Sequence, residues 1–229
     1  MPVSIFLPTR KNSQRVPDKN TRPFAGLEGG LLELKLKELV KIETVEEIVL
    51  SSNDDRSLEI GANFQKEYPK IKLIGRPEFL GTSTTNLSDL IAYASSVVQN
   101  EHILWTHVTS PFCGVKDYRE MIKLYFEKLK QDYDSLISGQ PFLDFLWDSD
   151  NNDIINRRGK MKWPQTQDLK PLFKINNAAF ITSKSIYAHY QDRVGKKPYL
   201  YEMGKLSSID IDDLEDFKIA EALYDQIFK

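Results

Sequence analysis

The chain has 229 residues, with 31 lysines and arginines against 33 aspartates and glutamates, for a formal net charge of −2. That length suits one substantial domain, since domains usually run to about 50–250 residues, and a 41% hydrophobic share can build a core. The absence of a basic excess argues against nucleic-acid binding. No run approaches the ~20 apolar residues of a membrane span. We therefore expect neither nucleic acid nor a membrane as a partner.

Cysteine and histidine are scarce, with one cysteine, Cys113, and three histidines in the whole chain. A single cysteine cannot form an internal disulfide, which fits a reducing compartment. The amino terminus lacks the basic region of a signal peptide. These features predict a cytoplasmic protein. They also disfavour a zinc site, so any metal would be a hard cation bound by carboxylates.

Short β-branched runs alternate with longer amphipathic segments over the first 140 residues. The pattern predicts strands at residues 3–7, 48–51, 71–74, 103–108 and 135–138. It predicts helices at residues 31–41, 57–67, 87–98 and 116–129. Such alternation is typical of an α/β fold with a mainly parallel sheet. In these sheets ligands bind at the carboxyl ends of the strands.

The alternation breaks after residue 141. Residues 142–168 mix aromatic side chains with polar turn signals and show no clear period. An irregular stretch of this length in a compact domain is usually functional or an oligomer contact, so we interpret it as an excursion within a single domain covering 1–229. Beyond it the pattern predicts strands at 177–182 and 207–211, and helices at 185–190 and 219–228.

Cations are concentrated in the loop after the first predicted strand, TRKNSQRVPDKNTRPFAG. The loop holds five cations and a single acid, Asp18; the cations are Arg10, Lys11, Arg15, Lys19 and Arg22. Cations and hydrogen-bond donors at a strand's carboxyl end attract phosphates, although neither common glycine-rich phosphate fingerprint occurs. A solvated basic surface loop would explain the same composition.

A pair of acids near the carboxyl end, in SSIDIDDLEDF, is a candidate metal site. If residues 207–211 form a strand, Asp210 and Asp212 share one of its faces. Two carboxylates at a strand end suit Mg²⁺. Alternatively, Asp212 caps the final helix together with Glu215, which leaves Asp210 without a role.

Two further loops follow predicted strands. HVTSPFCG contains a turn with hydroxyl groups and begins with His107, which either binds substrate or serves only the structure. Cys113 closes this segment and is interpreted as a packed thiol, because no histidine–asparagine arrangement around it is evident. RPEFLGTSTTN places Arg76 and a hydroxyl-rich turn after another strand.

Taken in order, these segments resemble the CMP-sialic acid synthetase (acylneuraminate cytidylyltransferase) family. That family's R-x-x-S-K-x-x-P-x-K-N loop is similar to residues 10–20, with Gly26 as the glycine that follows. Its R-P-x-x-L is similar to residues 76–80, its Q-P-T-S-P-L-R to 107–113, and its F/Y-R-x-N-G-A to 173–178. Its closing S-I-D-I-D is present at 208–212. The resemblance covers nearly the whole chain.

The resemblance implies a Rossmann-like three-layer α/β sandwich with a dimerisation excursion at 142–168. It also implies a homodimer that transfers CMP from CTP to a nonulosonic, sialic-acid-like 2-keto sugar acid with Mg²⁺ and releases pyrophosphate. The implied catalytic residues are Arg10, Lys19, Asp210 and Asp212, of which Asp210 and Asp212 bind the metal. The implied nucleotide-binding residues are Arg10, Asn12, Ser13, Arg15, Lys19, Asn20 and Arg76. The implied sugar-binding residues are His107, Ser110, Lys174 and Asn176.

The chain departs from the family pattern at several positions. Gln14 stands where the family has a lysine after its serine, with Arg15 beside it. His107 stands where the family has a glutamine. Cys113 and Lys174 stand at two positions where the family has arginine. The family's aspartate in the turn after R-P-x-x-L is replaced here by a hydroxyl residue near 83. The sequence leaves the sugar acid's identity open. It also leaves two alternatives: a metal-dependent glycosyltransferase using the D-x-D pair, and a non-catalytic relative that only binds nucleotide.

Overall fold

The predicted alternation of strands and helices is present in the computed structural model, which describes residues 1–228. The helices are α1 (Gly30–Leu39), α2 (Asp55–Gln65), α3 (Leu87–Val97), α4 (Val115–Leu129), α5 (Lys184–Tyr190) and α6 (Leu214–Phe228). The strands are β1 (Val3–Pro8), β2 (Val45–Ser52), β3 (Ile71–Gly75), β4 (His102–Trp105), β5 (Ser135–Phe142), β6 (Trp147–Asp148), β7 (Asp153–Ile154), β8 (Leu172–Ser183) and β9 (Pro198–Glu202). None of these helices is long and apolar enough to cross a membrane.

Seven strands form one sheet in the order β3-β2-β1-β4-β8-β5-β9. Neighbouring strands are parallel except at β8, which runs antiparallel to both β4 and β5. All six residues of β1 are buried, as expected of a central strand whose two faces are both covered. The prediction of an α/β fold with a mainly parallel sheet is confirmed.

The sheet has a hydrophobic core on each face, because successive side chains of a strand point in opposite directions. On one face Ile5 and Leu7 of β1 belong to a core shared with α1, α4 and α6. On the other face Phe6 and Trp105 pack with α3 and α5. Helices on both faces of one sheet make the predicted three-layer sandwich.

The topology brings several loops to one edge of the sheet. The parallel strands β1 to β4 all end at this edge, so the loops that follow them are neighbours. The antiparallel strand β8 runs the other way, and its residue Asn177 accepts a hydrogen bond from the backbone of His107, just beyond β4 (3.2 Å). The edge therefore collects the segments in which the sequence placed candidate site residues.

The strand predicted at residues 207–211 is wrong. The backbone N–H of Ser208 donates to the carbonyl of Gly204 (3.0 Å), and that of Ile209 donates to Leu206 (3.1 Å). These are turn hydrogen bonds, in keeping with the glycine and serines of this segment. Ile211 then donates to the carbonyl of Thr109 (2.9 Å), which ties the segment to the loop after β4.

Other elements differ from the prediction at their ends or were not predicted. β4 stops at Trp105 rather than continuing to residue 108, while β5 and β8 are longer than predicted. β9, with the sequence PYLYE, lies at the sheet's edge, and four of its five side chains are only half-buried. An edge strand of this kind lacks the continuous apolar run by which the central strands were identified.

The excursion at residues 142–168 contains the small β6–β7 hairpin. Its interior is organised by Asn156, which is fully buried, accepts from the backbone of Leu146 (3.3 Å) and donates to the carbonyl of Asp144 (3.0 Å). Trp147 and Trp163 stack on one another with ring centroids 6.4 Å apart and are both more than half exposed. The role of this excursion in dimerisation stays a prediction.

The helix α6 is capped by Asp213, so the alternative that Asp212 caps it is wrong. The Asp213 carboxylate accepts from the backbone of Glu215 and Asp216 (2.9 Å each). Asp216 in turn accepts from the backbone of Asp212 and Asp213. The side chain of Asp212 is therefore not used by the helix.

Replacing Asp213 with alanine is expected to lower the free energy of unfolding by about 1 kcal/mol, because it removes the capping acceptor. Urea denaturation measures this loss. Asp212→Ala is the control: its carboxylate is exposed and forms a surface ion pair, which is worth less than about 1 kcal/mol. Equal losses in the two variants would contradict the assignment of the cap.

Candidate active site

The loops after β1, β3 and β4 enclose a cleft of about 340 Å³ at the carboxyl edge of the sheet. Six of the predicted site residues line it, namely Arg10, Ser13, Lys19, Asn20, Arg76 and His107. Hydroxyl side chains add donors and acceptors to the same wall, from Thr9, Thr82, Ser83, Thr85 and Thr109. The charged residues that line the cleft are all basic, and leucines complete its wall.

The basic loop is held against the start of α1. The side chain of Asn20 donates to the carbonyl of Arg10 (3.1 Å) and so connects two loop residues that are ten positions apart. Gly30 has φ +60°, and a Cβ at this position would lie 2.0 Å from the carbonyl oxygen of Arg22. Only glycine tolerates both that conformation and that approach, so the loop's backbone is closely fitted to the helix.

The basic loop meets the acid segment from the other end of the chain. Lys19 Nζ donates to the carbonyl of Ile211 (2.7 Å), the residue between the two predicted metal ligands. Arg15 Nη2 forms an ion pair with Asp212 Oδ1 at 3.0 Å, in an exposed setting. Since Lys19 also lines the cleft, the acid segment borders it.

Asp210 has one carboxylate oxygen free of hydrogen bonds. Asn177 donates to its Oδ2 (2.7 Å), while its Oδ1 is buried and receives no hydrogen bond from any residue in the 1–228 range. A buried acceptor without a partner costs free energy. Hard cations prefer oxygen ligands, and Mg²⁺ is often held by one or two carboxylates plus substrate phosphates. The free Oδ1 of Asp210 thus fits such an ion, whereas one oxygen of Asp212 is already paired with Arg15.

Arg76 places a buried positive charge in the wall of the cleft. The residue is only 5% exposed, and one guanidinium nitrogen donates to the carbonyl of Thr9. Its Nε and Nη1 have no hydrogen-bond acceptor in the described part of the chain. Burial lowers the pKa of Arg76, but a guanidinium stays protonated in proteins. A phosphate group would supply the missing acceptors.

Lys19 lies between opposing electrostatic influences. Burial lowers its pKa, while the nearby carboxylates of Asp212 and Asp210 act to raise it. Arg15 acts in the same direction as burial. The result is a partly desolvated amine that joins the cleft to the acid pair.

His107 is a neutral imidazole in the same cleft. Trp105 Nε1 donates to its Nε2 at 2.8 Å. Burial is the main cause that lowers the pKa of His107 to about 3, and the positive charges of Arg193, Lys19 and Arg76 lower it further. The ring therefore carries no charge at neutral pH.

The loop after β4 rests on a fully buried lysine. Lys35 Nζ donates to the carbonyls of Ser110 (2.8 Å) and Cys113 (3.0 Å) and to the hydroxyl of Tyr118 (2.8 Å). Burial raises the pKa of the Cys113 thiol to about 11. Both observations agree with the interpretation of Cys113 as a packed thiol.

Three of the four residues predicted to bind the sugar do not line the cleft. Ser110 and Asn176 are buried, and the amide of Asn176 is engaged by Ser138 (2.6 Å) and Met203 (3.2 Å). Lys174 is exposed on β8. Only His107 among the four contributes to the cleft.

Two of the predicted nucleotide-binding residues lie beside the cleft rather than in it. Asn12 lines a neighbouring cavity of about 260 Å³ that shares Arg10, Thr82 and Ser83 with the main cleft. Arg15 is at the acid segment, as described above. Both are close enough to the cleft's mouth to belong to the same surface.

The hydroxyl residues of the cleft wall were not among the predicted site residues, and neither were two residues that position the acid segment. Asn177 donates to Asp210, and Thr109 accepts from Ile211 through its carbonyl. Strand alternation was a usable signal for Asn177, because adjacent residues such as Asn176 and Asn177 must point to opposite faces. Thr109 acts through its backbone, for which residue type gives no signal.

Comparison with known proteins decides the family. A family model described as cytidylyltransferase matches residues 5–227. The chain belongs to the cytidylyltransferase family. The resemblance found in the sequence is confirmed.

Curated relatives of this cytidylyltransferase include three with named sugar substrates or products. The chain is 26% identical to the N-acylneuraminate cytidylyltransferase of Streptococcus agalactiae serotype III (strain NEM316), over 94% of this chain and 51% of that protein. It is 23% identical to the pseudaminic acid cytidylyltransferase of Campylobacter jejuni subsp. jejuni serotype O:2, over 96% and 94%. It is 27% identical to the CMP-N,N'-diacetyllegionaminic acid synthase of Legionella pneumophila, over 97% and 96%. The chain thus spans about half the length of the first relative.

Solved structures share the fold. The CMP:2-keto-3-deoxy-manno-octonic acid synthetase complexed with CTP has a TM-score of 0.69 at 11% identity, with 99% of both chains covered. The 4-diphosphocytidyl-2C-methyl-D-erythritol synthase from Anaerococcus prevotii has a TM-score of 0.65 at 17% identity, covering 96% and 95%. At these identities the likeness concerns the fold alone.

His107 should make the protein less stable in mild acid. The unfolded chain binds a proton at this residue below pH 6.5, whereas the folded chain does so only near pH 3, so stability falls as the pH drops through 6.5. Between pH 6.5 and 5 the loss is roughly 2 kcal/mol. Urea denaturation across this range should show a shallower decline in His107→Gln. His189→Gln, at an exposed position, is the control; a wild-type slope in His107→Gln would refute the assignment.

Proposed function

We propose that this chain transfers CMP from CTP to a nonulosonic 2-keto sugar acid and releases pyrophosphate. The observation that carries the proposal is the junction at Lys19, which lines the basic cleft and donates to Ile211 within the acid segment. One site thereby holds cations for phosphates and carboxylates for a metal. The names of the relatives support the substrate class, because they specify acylneuraminic, pseudaminic and legionaminic acids.

The triphosphate of CTP would occupy the basic part of the cleft. Arg10, Lys19 and Arg76 supply positive charge there, and Ser13 and Asn20 supply neutral donors. Charge-assisted hydrogen bonds from cations to phosphate oxygens are among the stronger ones in proteins. Arg76 contributes most distinctly, because its buried guanidinium keeps two nitrogens without acceptors.

Mg²⁺ belongs to the same proposal, with Asp210 and Asp212 as its protein ligands. The buried Oδ1 of Asp210 and the exposed carboxylate of Asp212 are the oxygen ligands available at the acid segment. When bound, the ion would neutralise charge on the phosphate oxygens. Asn177 holds the second oxygen of Asp210 and so orients that carboxylate.

The reaction requires positioning more than covalent help from the protein. The anomeric hydroxyl of the sugar acid attacks the α-phosphorus of CTP and releases its proton to solvent, the bond from that phosphorus to the bridging oxygen breaks, and pyrophosphate leaves. Lys19 and Arg10 would stabilise the charge that builds on the phosphates, and the loops around the cleft would keep the reactants aligned. His107, as the predicted sugar residue that lines the cleft, would contact the sugar acid.

The two alternatives fare differently. Membership of the cytidylyltransferase family speaks against a glycosyltransferase with a D-x-D pair. A non-catalytic relative that binds nucleotide is distinguished by experiment. We further propose that the protein acts in the cytoplasm, which the single, buried and unpaired Cys113 supports.

Pyrophosphate release tests the proposal. The protein is incubated with CTP and Mg²⁺ and, in turn, with N-acetylneuraminic, legionaminic, pseudaminic and 3-deoxy-octulosonic acids; release is expected with at least one nonulosonic acid and none without an acid. Chelation of the metal should abolish it. Asp210→Asn should lower kcat/KM about 100-fold or more, because it removes a metal carboxylate.

Asp213→Asn is the matched control, because asparagine caps a helix about as well as aspartate and the residue lies three positions away; it should keep near-normal turnover. Full activity of Asp210→Asn would contradict the metal role. Binding of CTP with no release for any acid would instead establish the non-catalytic alternative.

We also propose that residues 142–168 join two copies into a homodimer. Phe145, Trp147 and Trp163 form an exposed aromatic cluster on this excursion, and aromatic residues are enriched in the cores of interfaces. Light scattering at micromolar concentration should give twice the 26.5 kDa of one chain. Trp147→Ser combined with Trp163→Ser should give the single-chain mass. Ile227→Ser, at another exposed apolar position, should stay dimeric; a monomeric wild-type protein would refute the proposal.

A further inference from the structure

The hydrogen bond between Trp105 and His107 fixes where the imidazole proton lies. An indole N–H can only donate, and it has no acceptor function. Because Trp105 Nε1 donates to Nε2 of His107 at 2.8 Å, Nε2 must carry a lone pair. A neutral imidazole has one N–H, so its proton is on Nδ1.

The surroundings keep that imidazole neutral. Arg193 lies over the Trp105 ring, with 4.9 Å between the guanidinium carbon and the ring centroid. Lys19 and Arg76 line the same cleft as His107. Burial, together with these three cations, holds the pKa of His107 far below its ordinary value.

Trp105 is also unable to swing away. Its side chain is fully buried at the end of β4, and its ring meets Phe6 edge-on with centroids 4.8 Å apart. Arg193 covers the indole from another side and stacks on Phe180, 3.6 Å from that ring's centroid. These contacts hold the indole N–H of Trp105 in its position beside His107.

The other ring nitrogen is left for a ligand. The hydrogen bonds formed by the side chain of His107 with the described residues involve Nε2 alone. His107 also lines the cleft. The cleft thus presents a single uncharged N–H donor at this point, beside cations that suit phosphates.

We propose that Trp105 is a positioning residue that fixes His107 as an uncharged Nδ1–H donor, so that the cleft selects a sugar acid with an acceptor oxygen at this contact. A carboxylate, hydroxyl or amide carbonyl oxygen satisfies it, whereas a group that can only donate, such as an ammonium, does not. This inference deepens the proposed function and rests on it for the identity of the ligand. The position of the proton rests on the geometry alone.

Trp105→Phe removes the N–H while keeping an aromatic ring in the core. The ¹⁵N signals of the His107 ring, assigned with His107→Gln, report its tautomer without any substrate. The wild-type protein should show Nδ1–H alone between pH 6 and 8, and Trp105→Phe should show a mixture of both tautomers. With the preferred sugar acid, KM for the acid should rise about tenfold in Trp105→Phe, as expected for one hydrogen bond, while KM for CTP stays within a factor of two.

Phe180→Leu is the matched control, because Phe180 occupies the same core and stacks on Arg193 but makes no hydrogen bond to His107. It should keep the wild-type tautomer and the wild-type KM for the acid. A wild-type ring protonated at Nε2, or an unchanged tautomer in Trp105→Phe, would overturn the positioning role. Should Trp105→Phe fail to fold, the wild-type spectrum still decides.

The two levels of the proposal fail separately. An unchanged KM for the acid in a Trp105→Phe protein whose tautomer has changed would overturn the recognition of the sugar at His107, with the transferase activity intact. Absence of turnover in the wild-type protein with every acid would overturn the proposed function and the sugar's identity as the ligand. The spectrum of the wild-type ring would in that case still settle the role of Trp105.

Discussion

A lysine ammonium group buried beneath the cleft organises the site. Lys35 forms no ion pair with any carboxylate in residues 1–228; its ammonium group donates to the carbonyls of Ser110 and Cys113 and to the hydroxyl of Tyr118. Burial lowers its pKa, and these three acceptors offset part of the cost of burying the amine. The loop fixed in this way offers the carbonyl of Thr109 to Ile211. The position of the acid segment thus depends on a charge that touches neither acid.

Two groups at the site keep hydrogen-bonding capacity that no described residue uses. Arg76 has donors without acceptors, and Asp210 has an acceptor without a donor. Arg76 directly follows β3, and Asp210 lies shortly before α6. Unsatisfied buried groups of this kind destabilise the empty protein, and the same groups become strong binding determinants once a ligand satisfies them. His107 adds an uncharged group to the cleft that Lys19 and Arg76 also line.

The sequence predicted the fold's core well, because central strands such as β1 are buried on both faces and appear as continuous apolar runs. It failed at residues 207–211, where SIDID alternates like a strand but the preceding glycine and serines form turns instead. The family resemblance identified six residues of the cleft lining. It selected Asn176, whereas Asn177 is the residue that contacts Asp210, because the two adjacent side chains point to opposite faces of β8. The contact between Lys19 and Ile211, 192 positions apart, follows from the topology and not from any local pattern.

The junction of the two chain ends also bears on when activity can arise during synthesis. In a growing polypeptide the basic loop precedes the acid segment by some 192 residues. Closing so long a loop carries an entropic cost that later packing must overcome, and ribosomes deliver residues in order at about 5–20 per second. A nascent chain therefore passes many seconds with the basic loop present and the acid segment still absent. The basic loop and the acid segment can therefore meet only after residue 211 has been synthesised.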